Sequence, residues 1–304
     1  MKKVRVEAST KKDRTSEIFG NPMSKKVIRK AQKSKQKNQK KYGDDSKVNY
    51  QCIIRDNPCI GEPLGVKNVV VTRKEGKGSF DEEKGVIVGN IRMGFGHYRI
   101  SMAIASAAHA LGYTPYWMDL NSYPETTCTK LISAQNELYS LGSRISQKSK
   151  LFNKFVWEPV NYEGFRQLSY NAADQKNAEL MAPVYHSVPK DIPVIATHVW
   201  PAQAAVHAGM KHVVNAIPDN WPMALHYAQG SLHTVQTHYA YQGYRIGNGM
   251  MKEKSRSPPK RSNGRFLLIL ACLPTTCKNT DSQGCVSIDF TLYYLWDCWY
   301  FPNR

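Results

Sequence analysis

A chain of 304 residues with 41% hydrophobic content is long enough to bury one large core or two ordinary ones, which excludes disorder throughout. The formal charge of +18 would mark a binder of nucleic acid or anionic membrane if it covered the folded surface, but residues 1–41 hold 15 Lys and Arg against 3 Asp and Glu, residues 252–265 hold 6 against 1, and residues 42–251 hold 19 against 17. The seven cysteines show no C-x-x-C spacing, no apolar run reaches the roughly 18 residues of a membrane span, and Met1-Lys2-Lys3 lacks the apolar stretch of a secretory signal, so no metal centre, spanning helix or export is indicated and the expected compartment is the cytoplasm.

Residues 1–45 are rich in Lys, Gln and Ser with little apolar periodicity. They read as a disordered basic arm, because they offer too little apolar surface to offset the entropy of ordering. Such an arm is solvated rather than a specific reader of nucleic acid, and no nucleic-acid partner is expected. Residues 46–84 form a short lead-in whose one β-like run, Val69-Val70-Val71-Thr72, predicts an edge strand. Gly85 to Ile91 is a buried strand, too short for a helix. A glycine-rich ligand loop follows at Gly94-Phe95-Gly96-His97, then an Ala-rich helix from Ser101 to Leu111, which Gly112 ends in a left-handed conformation. Thr114 to Leu120 is the next strand, with Asp119 near its carboxyl end.

Leu131, Leu138, Leu141 and Ile145 share a stripe that predicts a helix over 129–147, and a further helix covers 171–182. Between them Lys148, Lys150, Lys154 and Arg166 interleave with Phe152, Phe155, Trp157, Tyr162 and Phe165. Such a surface either settles into a lipid interface or caps the sheet with its aromatics. Pro193 to His198 is a strand, Pro201 to Ala208 a helix with proline suited to its first turn, and His212 to Ile217 a strand ending at Pro218-Asp219-Asn220. Ser231 to Gln236 is a last short strand, and Tyr239 begins a helix.

This alternation predicts an α/β fold over 85–251, a single Rossmann-like, mostly parallel sheet with helices on both faces, flanked by poorly ordered tails. After Met251 the composition turns to Lys252-Glu253-Lys254-Ser255-Arg256-Ser257-Pro258-Pro259-Lys260-Arg261, and four of the seven cysteines follow. Residues 252–304 fit no single pattern and read as an atypical tail of the kind a frameshift produces.

A Gly-x-Gly between a buried strand and a helix lets backbone approach a ligand closely, while the helix N-terminus supplies free N–H groups suited to an anion. The bland alternative is a tight strand-to-helix turn and nothing more. A dinucleotide fingerprint would need a third glycine where Arg99 stands, although Asp119 is available for a ribose. Arg92-Met93-Gly94-Phe95-Gly96-His97-Tyr98-Arg99-Ile100-Ser101 resembles the G-G-G-H-x-x-[AS] loop that opens glycosyltransferases of the GT-B fold, in particular the monogalactosyldiacylglycerol synthases and the undecaprenyl-muramyl-peptide N-acetylglucosaminyltransferases. The course from Ile195-Ala196-Thr197-His198 through Ala202 to Gly209, then Val213 to Ile217 and Asp219, is similar to the synthases' Thr-His-Pro strand end, helix and Thr-Asp strand end. Three departures stand out: Phe95 replaces a glycine, Val199-Trp200 intervene before Pro201, and Pro218-Asp219-Asn220 stands where Thr-Asp is usual.

The resemblance covers about residues 85–250 and implies the acceptor-binding half of an enzyme whose second domain holds a nucleotide-sugar donor, with no separate cofactor and no metal. It puts His97 near the reaction centre, as general base on an acceptor hydroxyl or as a group orienting the donor diphosphate. Gly94, Phe95, Gly96, Tyr98, Arg99, His198, Asp219 and Asn220 become candidate substrate contacts. His198 and Asp219 also fall at predicted strand carboxyl ends, where open α/β sheets place ligands. The implied partners are a nucleotide sugar and a lipid or other hydroxyl acceptor, with peripheral contact at the inner face of the membrane. A transferase of this architecture needs two facing domains of roughly 150 residues each, so the chain as it stands is expected to be inactive alone. Two other readings stay open: a catalytically silent relative or binding protein, and a nucleotide-dependent oxidoreductase that uses Asp119.

Overall fold

The computed structural model describes residues 14–74, 76, 79–162, 164–245 and 265–268. A two-residue hairpin, β1 (Glu17–Ile18) and β2 (Asn21–Pro22), turns through Phe19 and Gly20 and leads into α1 (Lys25–Tyr42), where the Ser24 hydroxyl accepts from the Val27 N–H as N-cap. Nine of the 18 residues of α1 are Lys or Arg and none is acidic. Like charges three and four apart oppose an isolated helix, so packing must form this one. Val27 and Ala31 are buried in a cluster with Leu168, Ala172 and Tyr227. The Asn38 and Ser34 side chains hydrogen-bond Asn177, and Lys35 pairs with Glu179 at 2.6 Å. Residues 25–42 therefore belong to the folded domain and not to the solvated arm that composition predicts.

The chain continues through β3 (Gln51–Asp56), α2 (Gly61–Leu64), β4 (Lys67–Thr72), β5 (Gly85–Asn90), α3 (Gly94–Ala110) and β6 (Thr114–Asp119). Then come α4 (Thr127–Lys148), α5 (Lys150–Phe152), a π-helical turn at Asn153–Trp157, α6 (Glu158–Tyr162) and α7 (Leu168–Met181). The rest is β7 (Val194–Ala196), α8 (Val199–His207), β8 (Val213–Ala216), β9 (Leu232–Val235), α9 (His238–Arg245) and β10 (Arg265–Leu268).

Eight strands form one sheet in the order β10-β9-β8-β7-β5-β6-β4-β3, parallel throughout except for the antiparallel β3–β4 pair. The fold is thus α/β with a mostly parallel sheet, as the alternation predicts. One correction concerns the lead-in: β4 is not the edge, because Lys67 and Asn68 also pair with Tyr116 and Trp117 of β6, and β3 takes the outer place. Of residues 252–304, backbone 265–268 extends the sheet as β10, with Arg265 opposite Leu232; the rest of that predicted tail lies outside the described residues.

All six residues of β5 are buried, and its two faces pack differently. Ile87 joins Met118, Leu131, Leu180, Ala202 and Ala205, which puts α4, α7 and α8 on one face. Val88 joins Val66, Trp117 and Ala105, which puts α3 on the other. Gly89 permits the close approach of α8, since a Cβ there would stand 3.2 Å from the Pro201 Cβ and from the Tyr185 hydroxyl. From β5 the chain runs through α3 to β6 on one side and later returns to β7 on the other. The carboxyl ends of β5 and β7 therefore flank the crevice where open sheets receive ligands.

Only the first part of the predicted α4 stripe is core. Leu131 and Ile132 are fully buried, whereas Leu138 is 70% exposed and Leu141 and Ile145 are exposed with it. Leu151, Phe155, Val156 and Val160 continue this open apolar surface, and Trp157 packs beside Gly142 and Tyr139 of α4. Of the predicted aromatics, Phe155 faces outward, Trp157 packs onto α4 and Phe165 stands edge-on to Tyr170 of α7. No helix among the described residues is long and apolar enough to cross a membrane.

If α1 is a docked element, Ala31→Glu, which buries a carboxylate in its contact with α7, should destabilise the protein by about 2–4 kcal/mol in denaturant titration. Lys33→Glu on the exposed face of the same helix should change stability by roughly 0.5 kcal/mol or less. Equal small effects from both substitutions would show that α1 does not pack.

Candidate functional site

Gly94 opens α3 at φ 73°, a conformation L side chains rarely adopt, and a Cβ built on Gly94 or Gly96 meets nothing within 4 Å. The glycine-rich stretch is therefore the first turn of the helix, not a loop ahead of it, and its backbone faces open space. Arg92 anchors the turn. Its guanidinium reaches the Asp119 carboxylate at 2.6 Å and the Ser122 hydroxyl at 2.8 Å, its N–H donates to Asn121, and its carbonyl accepts from Asn136 of α4. The second Asp119 oxygen accepts from the Asn121 N–H, so both oxygens are engaged.

Three turns meet at the carboxyl edge. His97 Nδ1 lies 2.6 Å from the Thr197 carbonyl oxygen, just beyond β7. A carbonyl only accepts, so Nδ1 carries the proton and, in the neutral ring, Nε2 keeps its lone pair. The Ser101 hydroxyl donates to the His97 carbonyl at 2.9 Å and in turn accepts from the Thr197 hydroxyl at 2.9 Å. Burial lowers the proton affinity of His97, partly offset by the Thr197 carbonyl and the charge of Asp219. His198 meets His97 edge-on at 4.9 Å between ring centroids. It is the N-cap of α8, with Nδ1 accepting from the Trp200 N–H, so its neutral tautomer carries the proton on Nε2. Burial holds His198 well below the ordinary histidine range. The two rings thus present a base and a donor.

Asp219, three residues after β8, completes the group, and its side chain is 56% exposed. The structure sets His97 and His198 ring to ring, with Asp219 on the turn after the neighbouring strand β8 near enough to act on the charge of His97, and it turns Tyr98 and Arg99 away from them. Tyr98, partly buried on α3, packs edge-on against Trp117 at 5.1 Å and so turns toward the core cluster and away from His97. Arg99 is exposed, but two positions along a helix from His97 it points off that face. Phe95 is 82% exposed on the glycine turn, and Asn220 is exposed beside Asp219.

Sequence reasoning misses two residues here, His226 and Tyr244. His226 Nε2 is 3.2 Å from Asp219 Oδ2, and its Nδ1 is 2.6 Å from the Tyr244 hydroxyl. The His226 hydrogen bond holds the Asp219 carboxyl below its ordinary value. No local motif marks either residue. Beneath them, Asn171, Gln175 and Gln203 all donate to the Tyr227 carbonyl, and Asn215 donates to that of His226 at 2.7 Å. Among the described residues no group of three or more His, Cys, Asp or Glu side chains is arranged to hold a metal ion.

A family model described as a domain of unknown function, DUF6937, matches residues 17–246, so the chain belongs to that family. The match runs from β1 to the end of α9 and includes the basic helix α1. No curated protein and no solved structure matches the chain.

One buried acid supports the site from below. Asp174 on α7 accepts from Trp200 Nε1 at 3.3 Å, and Trp200 packs against His198. Burial pushes the Asp174 carboxyl up to about 7. A folded value above the unfolded one means stability that is complete at low pH and lost as pH rises toward and through 7. The protein should therefore lose about 2–3 kcal/mol between pH 5 and 7 from this group. Asp174→Asn keeps an acceptor for Trp200 and should flatten that stretch of the curve in denaturant titrations across the range. An unchanged pH dependence in the variant would assign the loss elsewhere.

Proposed function

We propose that this DUF6937 member is the acceptor-binding, Rossmann-like half of a GT-B glycosyltransferase, presenting a lipid or other hydroxyl acceptor to a nucleotide-sugar donor held by a second domain. The observation that carries the reading is the His97 ring, fixed by the Thr197 carbonyl so that Nε2 is the free base at the carboxyl edge between β5 and β7. In the reaction so read, the acceptor oxygen attacks the anomeric carbon of the sugar. The bond from that carbon to the diphosphate breaks, its electron pair leaves on the nucleoside diphosphate, and the acceptor proton passes to His97 Nε2. The open first turn of α3 at Gly94 and Gly96 suits an anionic group nearby.

The exposed apolar surface of α4 to α6 supports a lipid acceptor. Leu138, Leu151 and Phe155 lie open to solvent, with Lys148, Lys150 and Lys154 among them, the mixture that suits a headgroup interface. The oxidoreductase alternative draws less support, since Asp119 is buried and already accepts from Arg92, Ser122 and the Asn121 N–H.

The expected result is that the purified chain binds vesicles bearing a hydroxylated lipid but transfers little or no sugar. Fused after α9 to the donor-side domain of a GT-B enzyme, it should gain transfer. In that fusion His97→Gln should lower kcat by about 100-fold or more with KM little changed. Intact turnover in the variant would reduce His97 to a structural residue of the turn. Tight binding of a nicotinamide dinucleotide, with no response to any nucleotide sugar, would replace the transferase reading.

A further inference from the structure

Asp219, His226 and Tyr244 come from three segments with no sequence pattern in common: the turn after β8, the short 3-10 turn Ala224–His226, and α9. A carboxylate only accepts, so at 3.2 Å His226 Nε2 is the donor to Asp219 Oδ2. In the neutral ring Nδ1 is then the acceptor, and the Tyr244 hydroxyl, which also points at the Trp221 carbonyl 3.3 Å away, donates to it over the shorter distance of 2.6 Å. Both nitrogens of His226 are used inside the protein, which leaves it no free site for a ligand's proton. The two ends of the chain differ. Tyr244 is fully buried, edge-on to Tyr227 at 5.4 Å, whereas Asp219 is more than half exposed. The interaction of Asp219 with His97 favours the charged form of each.

The Thr197 carbonyl holds His97 Nδ1, the neutral His198 ring stands edge-on, and Asp219 and His226 act from the β8 side. The one negative charge among these is Asp219, and His226 is what fixes it. We propose that His226 and Tyr244 are positioning residues, a buried clamp that holds the Asp219 carboxylate where it stabilises the imidazolium His97 becomes on taking a proton from a ligand hydroxyl. The proposal rests on the reading of His97 as a base. It assigns no proton transfer to His226 itself: the hydroxyl O–H breaks, the His97 Nε2–H forms, and Asp219 remains ionised throughout.

Direct titration of the His97 ring by NMR in the full chain tests the clamp without any sugar or acceptor. Asp219→Asn removes the charge but keeps an acceptor for His226, and should lower the His97 midpoint by roughly half a pH unit or more. His226→Leu gives opposite signs for the two explanations. Loss of a like-charged neighbour alone would raise the His97 midpoint, whereas release of Asp219 lowers it, and a fall is expected. His226→Gln, which can still donate to Asp219, should restore a midpoint at or slightly above the native one. A rise or no change in His226→Leu overturns the clamp, as does an unchanged midpoint in Asp219→Asn, which decides the matter if the leucine variant does not fold. Because the readout involves no transfer, a failed sugar assay leaves these results standing. Conversely, transfer activity with an unmoved His97 midpoint would sink the clamp and spare the transferase reading.

Discussion

A peptide carbonyl accepts hydrogen bonds and never donates them, and the chemistry available at this site depends on where one such carbonyl sits. The Thr197 oxygen, 2.6 Å from His97 Nδ1, fixes which ring nitrogen is protonated and so which one is offered to the crevice. Thr197 is in place because its N–H donates to the Gly89 carbonyl, extending the β5–β7 pairing by one residue, and because its hydroxyl is tied to Ser101 on α3. His97 reaches it because Gly94 takes a left-handed turn directly after β5, starting the helix early enough to bring the fourth residue over β7. A side chain at Gly94 would strain that turn, and the His97 ring would lose its register with Thr197.

The segment after β8 has only the short 3-10 turn Ala224–His226 as regular structure, so it is held by side chains. Helix α7 buries Asn171, Asp174, Gln175 and Asn177, an unusual number of polar groups for a helix packed on a sheet. Asn171 and Gln175, with Gln203 from α8, converge on the Tyr227 carbonyl, and Asn171 also donates to that of Ala224. Each such bond contributes on the order of 1 kcal/mol net, but a buried amide left unpaired costs about 1–3 kcal/mol, so an alternative path for residues 224–227 is penalised at several positions together. The result is a loop whose carbonyls are held at three positions, and it carries His226.

The parts of the fold legible in the sequence are those where one residue type repeats at one period. Gly85 to Asn90 and Thr114 to Asp119 are buried on both faces and therefore read as short apolar runs. Helix α1 escapes that logic, since only Val27 and Ala31 are fully buried and the remaining contacts are amide, hydroxyl and ion pairs to α7. The helix start at Gly94 is hidden because glycines argue against helix, although here one of them makes the start. Val199-Trp200, an apparent departure from the glycosyltransferase pattern, is the first turn of α8 with His198 as its cap. His97, His198 and Asp219 could be proposed because strand ends are where ligands bind. His226 and Tyr244 could not, because their approach to Asp219 is a long-range consequence of the α7 amides and of α9 docking, with no local trace.

The apolar projection and the histidine cluster share more than proximity to the same sheet edge. Asn136, midway along α4, donates to the Arg92 carbonyl at the start of the glycine turn, and from there to Lys148 the helix runs about 18 Å further at 1.5 Å per residue. The chain returns through α5, the π-helical turn and α6 to Arg166, whose guanidinium lies 5.9 Å from the Trp221 ring, two residues past Asp219. The projection is thus tied at one root to the turn that carries His97 and at the other to the turn that carries Asp219. In the proposed reading this joins two requirements of an interfacial enzyme in one element. The surface that would enter the headgroup layer is built into the walls of the site, so a lipid hydroxyl held there need not leave the interface to reach His97.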